Sequence, residues 1–319
     1  MEILQESCVV EVYPRDEPPS KSELIEGTRR KHGLLCLVSD KIDSEVMDSS
    51  GDLRVISCYS VGYDHVDVAE ATRRGIYVTF TPGVLTEATA DFAWALLLAV
   101  ARRVVEGDKF VRERKWKYWS PLTLVGADVY RRTLGIVGFG RIGRAVAKRA
   151  RGFEMKILYH DAHRLASSEE AELGLEYRDL VGLLRESDFV SLHTSLTAAT
   201  RHMIGEAELK LMKKTAYLIN TARGPVVDEG ALIKALKEGW IAGAGLDVYE
   251  TEPIVSSELI ALDNVVLAPH IGSASFDGRS KMSEVSAKNL VAVLKGEAPL
   301  HLVNPEVEKI RPLSQVKVT

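Results

Sequence analysis

Leu134-Gly135-Ile136-Val137-Gly138-Phe139-Gly140-Arg141-Ile142-Gly143 begins as an apolar run of strand length and ends in three glycines spaced as in a phosphate-binding turn. Behind it Ile142, Val146 and Ala150 recur on one helical face, so strand, turn and helix follow without a gap. In that setting each glycine has a task. Gly138 permits the tight turn, Gly140 lets a pyrophosphate approach the backbone, and Gly143 lets the helix lie close on the strand, with helix N–H groups aimed at the anion. Phe139, Arg141 and Ile142 complete the turn. A glycine trio alone is weak evidence; Asp161, at the end of the next strand and close to ~20 residues beyond the glycines, makes this a dinucleotide pattern. Its carboxylate suits adenosine ribose hydroxyls and repels a 2′-phosphate, so NAD is expected first. NADP is the second choice, because His163 and Arg164 follow and can compensate a phosphate.

Outward from this stretch, strand-like and helix-length segments alternate, as in a parallel sheet. Downstream, Met155 to His160, Phe189 to His193, Thr215 to Asn220, Gly243 to Val248 and Val265 to Ala268 read as strands, which with Leu134 to Val137 makes six. Upstream, Val9 to Tyr13, Leu34 to Val38, Val55 to Tyr59 and Ile76 to Thr79 form a first series, with helices at Lys21 to Lys31 and Val68 to Arg74 closed by Gly33 and Gly75. A long helical stretch from Leu85 to about Arg114 and a loop from Lys115 to Tyr130 join the two series. The helix Ser275 to Gly296 is long enough to return to the first, with Pro299 to Thr319 packed there or frayed. The expected fold is α/β, with two Rossmann-like domains of parallel sheet. Residues 101–284 bind the dinucleotide, and residues 1–100 with 285–319 form a substrate domain discontinuous in sequence.

Composition narrows the partners. At 46% hydrophobic and 27% charged residues, with 41 Lys and Arg scattered among 45 Asp and Glu, the chain shows no basic stripe for nucleic acid or a membrane surface. The longest apolar run, Phe92 to Ala101, is about half the ~20 residues that cross a bilayer, and Met1 to Pro14 lacks signal-peptide features. Cys8, Cys36 and Cys58 are far apart, odd in number and set in strand-like runs, which predicts buried reduced thiols, a cytoplasmic location and neither a disulfide framework nor a zinc or other metal site. Only four asparagines and two glutamines occur, a scarcity expected of a chain that works hot.

Arg223, Glu252 and His270 each fall just after an apolar strand, at the carboxyl ends where open α/β sheets bind ligands. Together they offer a cation that can grip an anion, a proton donor and an acid that can keep that donor charged. The stretches Ser60-Val61-Gly62-Tyr63-Asp64 with Val66-Asp67, the glycine turn, Asn220-Thr221-Ala222-Arg223-Gly224, Gly245-Leu246-Asp247-Val248-Tyr249 with Glu252-Pro253, and Pro269-His270-Ile271-Gly272 together resemble the D-isomer-specific 2-hydroxyacid dehydrogenases over nearly the whole length. Within that family they are most similar to the glyoxylate/hydroxypyruvate reductases. The resemblance implies NAD(P)H-dependent reduction of a small 2-keto acid to the D-2-hydroxy acid. His270 would be the proton donor, Glu252 would favour its cation, and Arg223 would grip carboxylate and carbonyl. Backbone amides of Val61 and Gly62 would cradle the carboxylate, and Asp247 would meet the nicotinamide carboxamide. His193, Thr194, Thr221, Ala222 and Gly272 complete the expected cofactor set.

The match has departures. Ser195 replaces a common proline beside the expected adenine pocket, Phe80 stands where many relatives carry asparagine, and Val61 stands where a phosphite dehydrogenase would carry lysine. Trp116, Tyr118 and Trp119 suit a substrate lid, a second subunit or simple packing, and the apolar helix around Phe92 to Val100 resembles the family's dimer-forming region, so a homodimer is expected. Two other functions fit the motifs: D-3-phosphoglycerate dehydrogenase, which needs extra cations and often a further domain, and a non-catalytic NAD-sensing protein that kept the site residues.

Overall fold

Ten strands are observed among the described residues, 1–318, of the structure, a computed structural model. They are β1 Gly33–Cys36, β2 Val55–Cys58, β3 Tyr77–Thr79, β4 Thr133–Val137, β5 Lys156–His160, β6 Leu175–Tyr177, β7 Phe189–Leu192, β8 Tyr217–Asn220, β9 Gly243–Leu246 and β10 Val265–Leu267. All pair in parallel, in one sheet of order β1-β2-β3 and another of order β10-β9-β8-β7-β4-β5-β6. The chain divides into one unit of Met1–Leu85 with Ser275–Thr319 and a second of Thr86–Ala274. A cut at 100 would pass through the end of helix Thr86–Ala101 and one at 284 through the middle of helix Phe276–Leu294, each of which stays whole in one unit.

In the larger unit β4 lies between β5 and β7, so the winding direction reverses there and leaves a crevice beyond the strands' carboxyl ends. Register aligns that edge. Val137 is level with His160 and Leu192, Leu192 with Asn220, Asn220 with Leu246, and Leu246 with Leu267. Leu134, Ile136, Leu158, Leu192 and Leu218 are fully buried, each worth about 1.5–3 kcal/mol relative to an exposed side chain. Cover on both faces is why these strands read as unbroken apolar runs. Helix Thr86–Ala101 packs its own apolar residues inside this unit: Trp94 stacks on Phe153 at 4.8 Å and donates from Nε1 to the Val146 carbonyl at 3.1 Å. The exposed apolar residues lie just downstream, among them Val104, Val111, Trp116, Trp119 and Leu122. The additional strand β6 is only three residues long with Glu176 exposed at its centre, too little pattern to read from sequence.

The smaller unit holds β1 to β3 and the helix Phe276–Leu294, with Ser57 Oγ donating to the Ser286 carbonyl at 2.9 Å. The segment Val9 to Tyr13 is not a strand: Val9 and Val12 are exposed, and Val10 alone of its valines packs on the core. Local β-branched composition without a covered face does not make a ladder. The tail after the helix is packed, with Val307 and Val316 buried. Asn304 Oδ1 accepts from Val78 N at 2.8 Å, and its Nδ2 donates to Thr72 Oγ1 at 2.8 Å and Ile76 O at 3.0 Å. The other three asparagines are also backbone ties: Asn220 to Ala222 and Arg223, Asn264 to Leu236 and Ala242, and Asn289 to Phe80 and His301. Cys36 and Cys58, distant in sequence, are register partners on β1 and β2, so sequence spacing was a poor guide to their separation.

Candidate active site

The glycine turn follows β4 at the switch point. Gly138 has φ +88°, and a Cβ there would stand 2.6 Å from the His193 carbonyl carbon and Thr194 nitrogen. A Cβ on Gly143 would strike the Gly138 carbonyl, so this helix can sit close only with glycine. Gly140 differs: nothing of the protein lies within 4 Å of its would-be Cβ, which leaves open the space a pyrophosphate needs. Helix Arg141–Ala150 starts directly from Gly140, and its first turn carries Arg141 exposed and Ile142 half-buried. Phe139 is buried against Tyr159, ring centroids 4.7 Å apart, so toward a ligand it offers backbone alone.

Asp161 follows β5 and remains about a quarter exposed, accepting from Phe139 N at 2.7 Å and His163 N at 2.8 Å. Arg164 is committed elsewhere, bonded at 2.9 and 3.0 Å to Glu170, whose carboxyl is held at about 2 by Arg164 and Tyr159. Beyond β7, the half-buried His193 pairs through Nε2 with Ser191 Oγ at 2.8 Å, and burial holds its imidazole at about 3, hence neutral. Its buried Nδ1 and the buried Oγ1 of Thr221, after β8, have no protein partner. Orphaned buried polar atoms in two residues beyond the same edge, with the vacant space at Gly140, suit a polar dinucleotide. Thr194 is half-buried, and Ala222 is buried with its N–H on Asn220 Oδ1 at 3.0 Å. Ser195 is exposed, its carbonyl accepting from Thr200 Oγ1 at 2.7 Å.

His270 Nδ1 and Glu252 Oε2 are 2.7 Å apart, and the two side chains keep 29% and 31% of their exposure, enough for a substrate to reach them. Glu252 Oε1 also accepts from Tyr249 N at 3.0 Å. Burial pushes the Glu252 carboxyl up, but the bond to His270, its charge and the Arg223 guanidinium outweigh burial and leave it below the usual range. Arg223 thus acts electrostatically on the pair. It is half-buried after β8, with Nη1 on the Ala222 carbonyl at 2.8 Å and its own carbonyl held by Asn220 Nδ2 at 3.0 Å.

His270 has φ +54°, a left-handed conformation that costs a non-glycine residue about 1–2 kcal/mol. Asp247 holds it there. The Asp247 carbonyl accepts from His270 N at 2.9 Å, and its two carboxylate oxygens accept from Ile271 N and Gly272 N, both at 2.7 Å. Burial raises the Asp247 carboxyl and these two N–H groups partly offset that. A Cβ on Gly272 would lie 2.9 Å from Asp247 Oδ2, so the turn closes on glycine. Sequence reading placed Asp247 on the cofactor and missed this clamp; its signal was the acid just beyond β9, ahead of the His270 turn.

In the smaller unit Val61 and Gly62 follow β2, half-buried. Ser60 Oγ donates to the Gly62 carbonyl at 2.5 Å. Phe80 packs edge-on against Tyr63 of that loop at 5.8 Å and His301 at 6.1 Å. Trp116, Tyr118 and Trp119 are all exposed in the larger unit.

Residues 94–272 match the family model of the D-isomer specific 2-hydroxyacid dehydrogenase, NAD binding domain. A glyoxylate reductase from Thermofilum pendens is 56% identical over 321 residues, spanning 100% of this chain and 95% of its own length. Among solved structures, a protein from Thermus thermophilus has 48% identity and a TM-score of 0.89, covering 95% of this chain and 96% of that one. An NADPH-dependent glyoxylate/hydroxypyruvate reductase from Sinorhizobium meliloti, solved with NADP and malonate, has 38% identity and a TM-score of 0.78, covering 88% and 86%.

Proposed function

This chain belongs to the D-isomer specific 2-hydroxyacid dehydrogenases, and from that premise we propose that it reduces a small 2-keto acid, glyoxylate or hydroxypyruvate, to the D-2-hydroxy acid. The observation that carries the reading is the 2.7 Å bond between His270 Nδ1 and Glu252 within the field of Arg223, on the same sheet edge as the glycine turn.

NADH supplies, when bound, the hydride that the carbonyl carbon takes up. Gly138 to Gly143 and Asp161 would hold it, with His193, Thr194, Thr221, Ala222 and Gly272 as further partners. With Nδ1 bound to Glu252, His270 keeps Nε2 for the substrate and donates its proton to the carbonyl oxygen as negative charge develops there. Glu252, held ionised, orients the ring and stabilises its cation. Arg223 grips the carboxylate with its planar fork. In the oxidative direction neutral His270 is the base. NAD is favoured over NADP because Arg164, the nearest cation in sequence to Asp161, is spent on Glu170.

The protein is further inferred to be a cytoplasmic homodimer adapted to heat. The exposed apolar residues between Val104 and Leu122 support the dimer. Its three unbridged thiols support a reducing compartment, and the scarcity of Asn and Gln supports the heat adaptation. Among the described residues no helix is long and apolar enough to cross a membrane.

Steady-state rates with NADH and NADPH on glyoxylate, hydroxypyruvate and 3-phosphohydroxypyruvate test the reading. The unphosphorylated acids should win with NADH, and His270→Ala should lower kcat by roughly 10²–10⁴-fold while NADH still binds. A clear preference for the phosphorylated acid would make this a phosphoglycerate dehydrogenase; cofactor binding with no turnover of any keto acid would make it a sensor.

A further inference from the structure

Cys36 closes β1, Cys58 closes β2 and His65 follows on the loop beyond β2, and one ligand atom from each lies within 4.8 Å of the other two. Cys36 Sγ and His65 Nε2 are 3.6 Å apart. In a tetrahedral site with Zn–S near ~2.3 Å and Zn–N near ~2.0 Å, a sulfur and a nitrogen ligand stand about 3.5 Å from each other. Both cysteines are fully buried, while His65 is half-buried and gives the cluster a way in from solvent. Backbone bonds hold Cys36 and His65 in place, Tyr59 N donating to Cys36 O at 2.9 Å, Ile42 N to His65 O at 2.9 Å and Asp67 N to Ile42 O at 2.9 Å, while Cys58 is set by its register opposite Cys36. Two thiolates would neutralise a divalent ion, so the loaded cluster carries no net charge, as a buried site requires. The proposed reduction uses none of these side chains.

We propose that Cys36, Cys58 and His65 bind one zinc(II) ion, with water in the fourth position, and that the ion braces the loop between Cys58 and His65. That loop carries Val61 and Gly62. Binding stands on ligand geometry alone; an effect on substrate affinity rests on the function proposed above, and the two are measured separately.

The reduced full-length protein, stripped of metal, is titrated with Co²⁺ and followed by sulfur-to-cobalt charge-transfer absorption, then with competing Zn²⁺. One Co²⁺ per chain should bind with a thiolate band that zinc abolishes. Cys58→Ser should lose the band, and His65→Gln, outside the core, should weaken binding by more than about tenfold. Absence of a thiolate band in the wild type, or unchanged affinity in His65→Gln, would overturn the site. With zinc bound, KM for glyoxylate should fall severalfold in the wild type and stay unchanged in His65→Gln. A bound metal that leaves KM unmoved would refute the brace and keep the site; loss of all keto acid turnover would refute the reaction, while the cobalt titration still reads out.

Discussion

Asp161 and Asp247 stand level on one sheet edge, the first just beyond β5 and the second just beyond β9. Each spends both carboxylate oxygens on backbone N–H groups, yet Asp161 keeps about a quarter of its side chain in solvent and Asp247 is sealed. The open one steadies the glycine turn and still presents lone pairs to a ligand. The sealed one forces the His270 turn into its strained shape. Residue type and register are the same; burial separates the group proposed to bind from the one that positions.

The largest effect expected from this contrast is at Asp247. Asp247→Asn keeps the shape but turns an amide donor toward one loop N–H, leaving a buried donor unpaired at about 1–3 kcal/mol. With His270 displaced, kcat should fall by about a hundredfold and KM for NADH should change little; a drop of less than threefold in steady-state assays would break the comparison. At Asp161 the pattern should invert. Asp161→Ala should raise KM for NADH about tenfold, a loss of about 1.4 kcal/mol, with kcat near wild type and discrimination against NADPH relaxed. If kcat falls instead, the open carboxylate is also a positioning group.

His193, level with both aspartates beyond β7, gives the smallest effect and sharpens the contrast through pH. Burial holds it at about 3 in the folded chain against an ordinary 6.5. Between those values the unfolded chain binds more protons, so this contribution to stability is complete above 6.5 and is lost as pH falls toward 3. His193→Gln should make the acid limb shallower by at most ~1.4 kcal/mol per pH unit in urea unfolding. An unaltered limb would mean that this imidazole is not buried neutral.

The glycine turn was legible because strand, turn and acid are local or nearly so, and each glycine answers a steric demand at short range. Arg223, Glu252 and His270 were readable as residues that follow strands, since parallel register carries every such residue to one edge. What the chain concealed was contact across distance. The Asp247 clamp joins residues from two separate strand ends, and the Cys36 to Cys58 pairing exists only through the β1/β2 register. Val9 to Tyr13 misled in the other direction, because β-branched composition predicts a strand only if something covers one face, and Val9 and Val12 face solvent. The scarce asparagines had a chemical explanation from composition; only the structure shows that Asn264, Asn289 and Asn304 fasten separate pieces of backbone while Asn220 ties the turn after β8.

The smaller unit is assembled from the two extremes of the chain, with Asn304 satisfying Val78 and Ile76 beside β3. During synthesis the ribosome therefore finishes the nucleotide-binding unit, through residue 274, before the first 85 residues can close their own core. Residues 1–85 therefore close their core after residues 86–274. Until then β1 to β3 wait for the helix and tail that cover them, and that interval is when a chaperone would have most to protect.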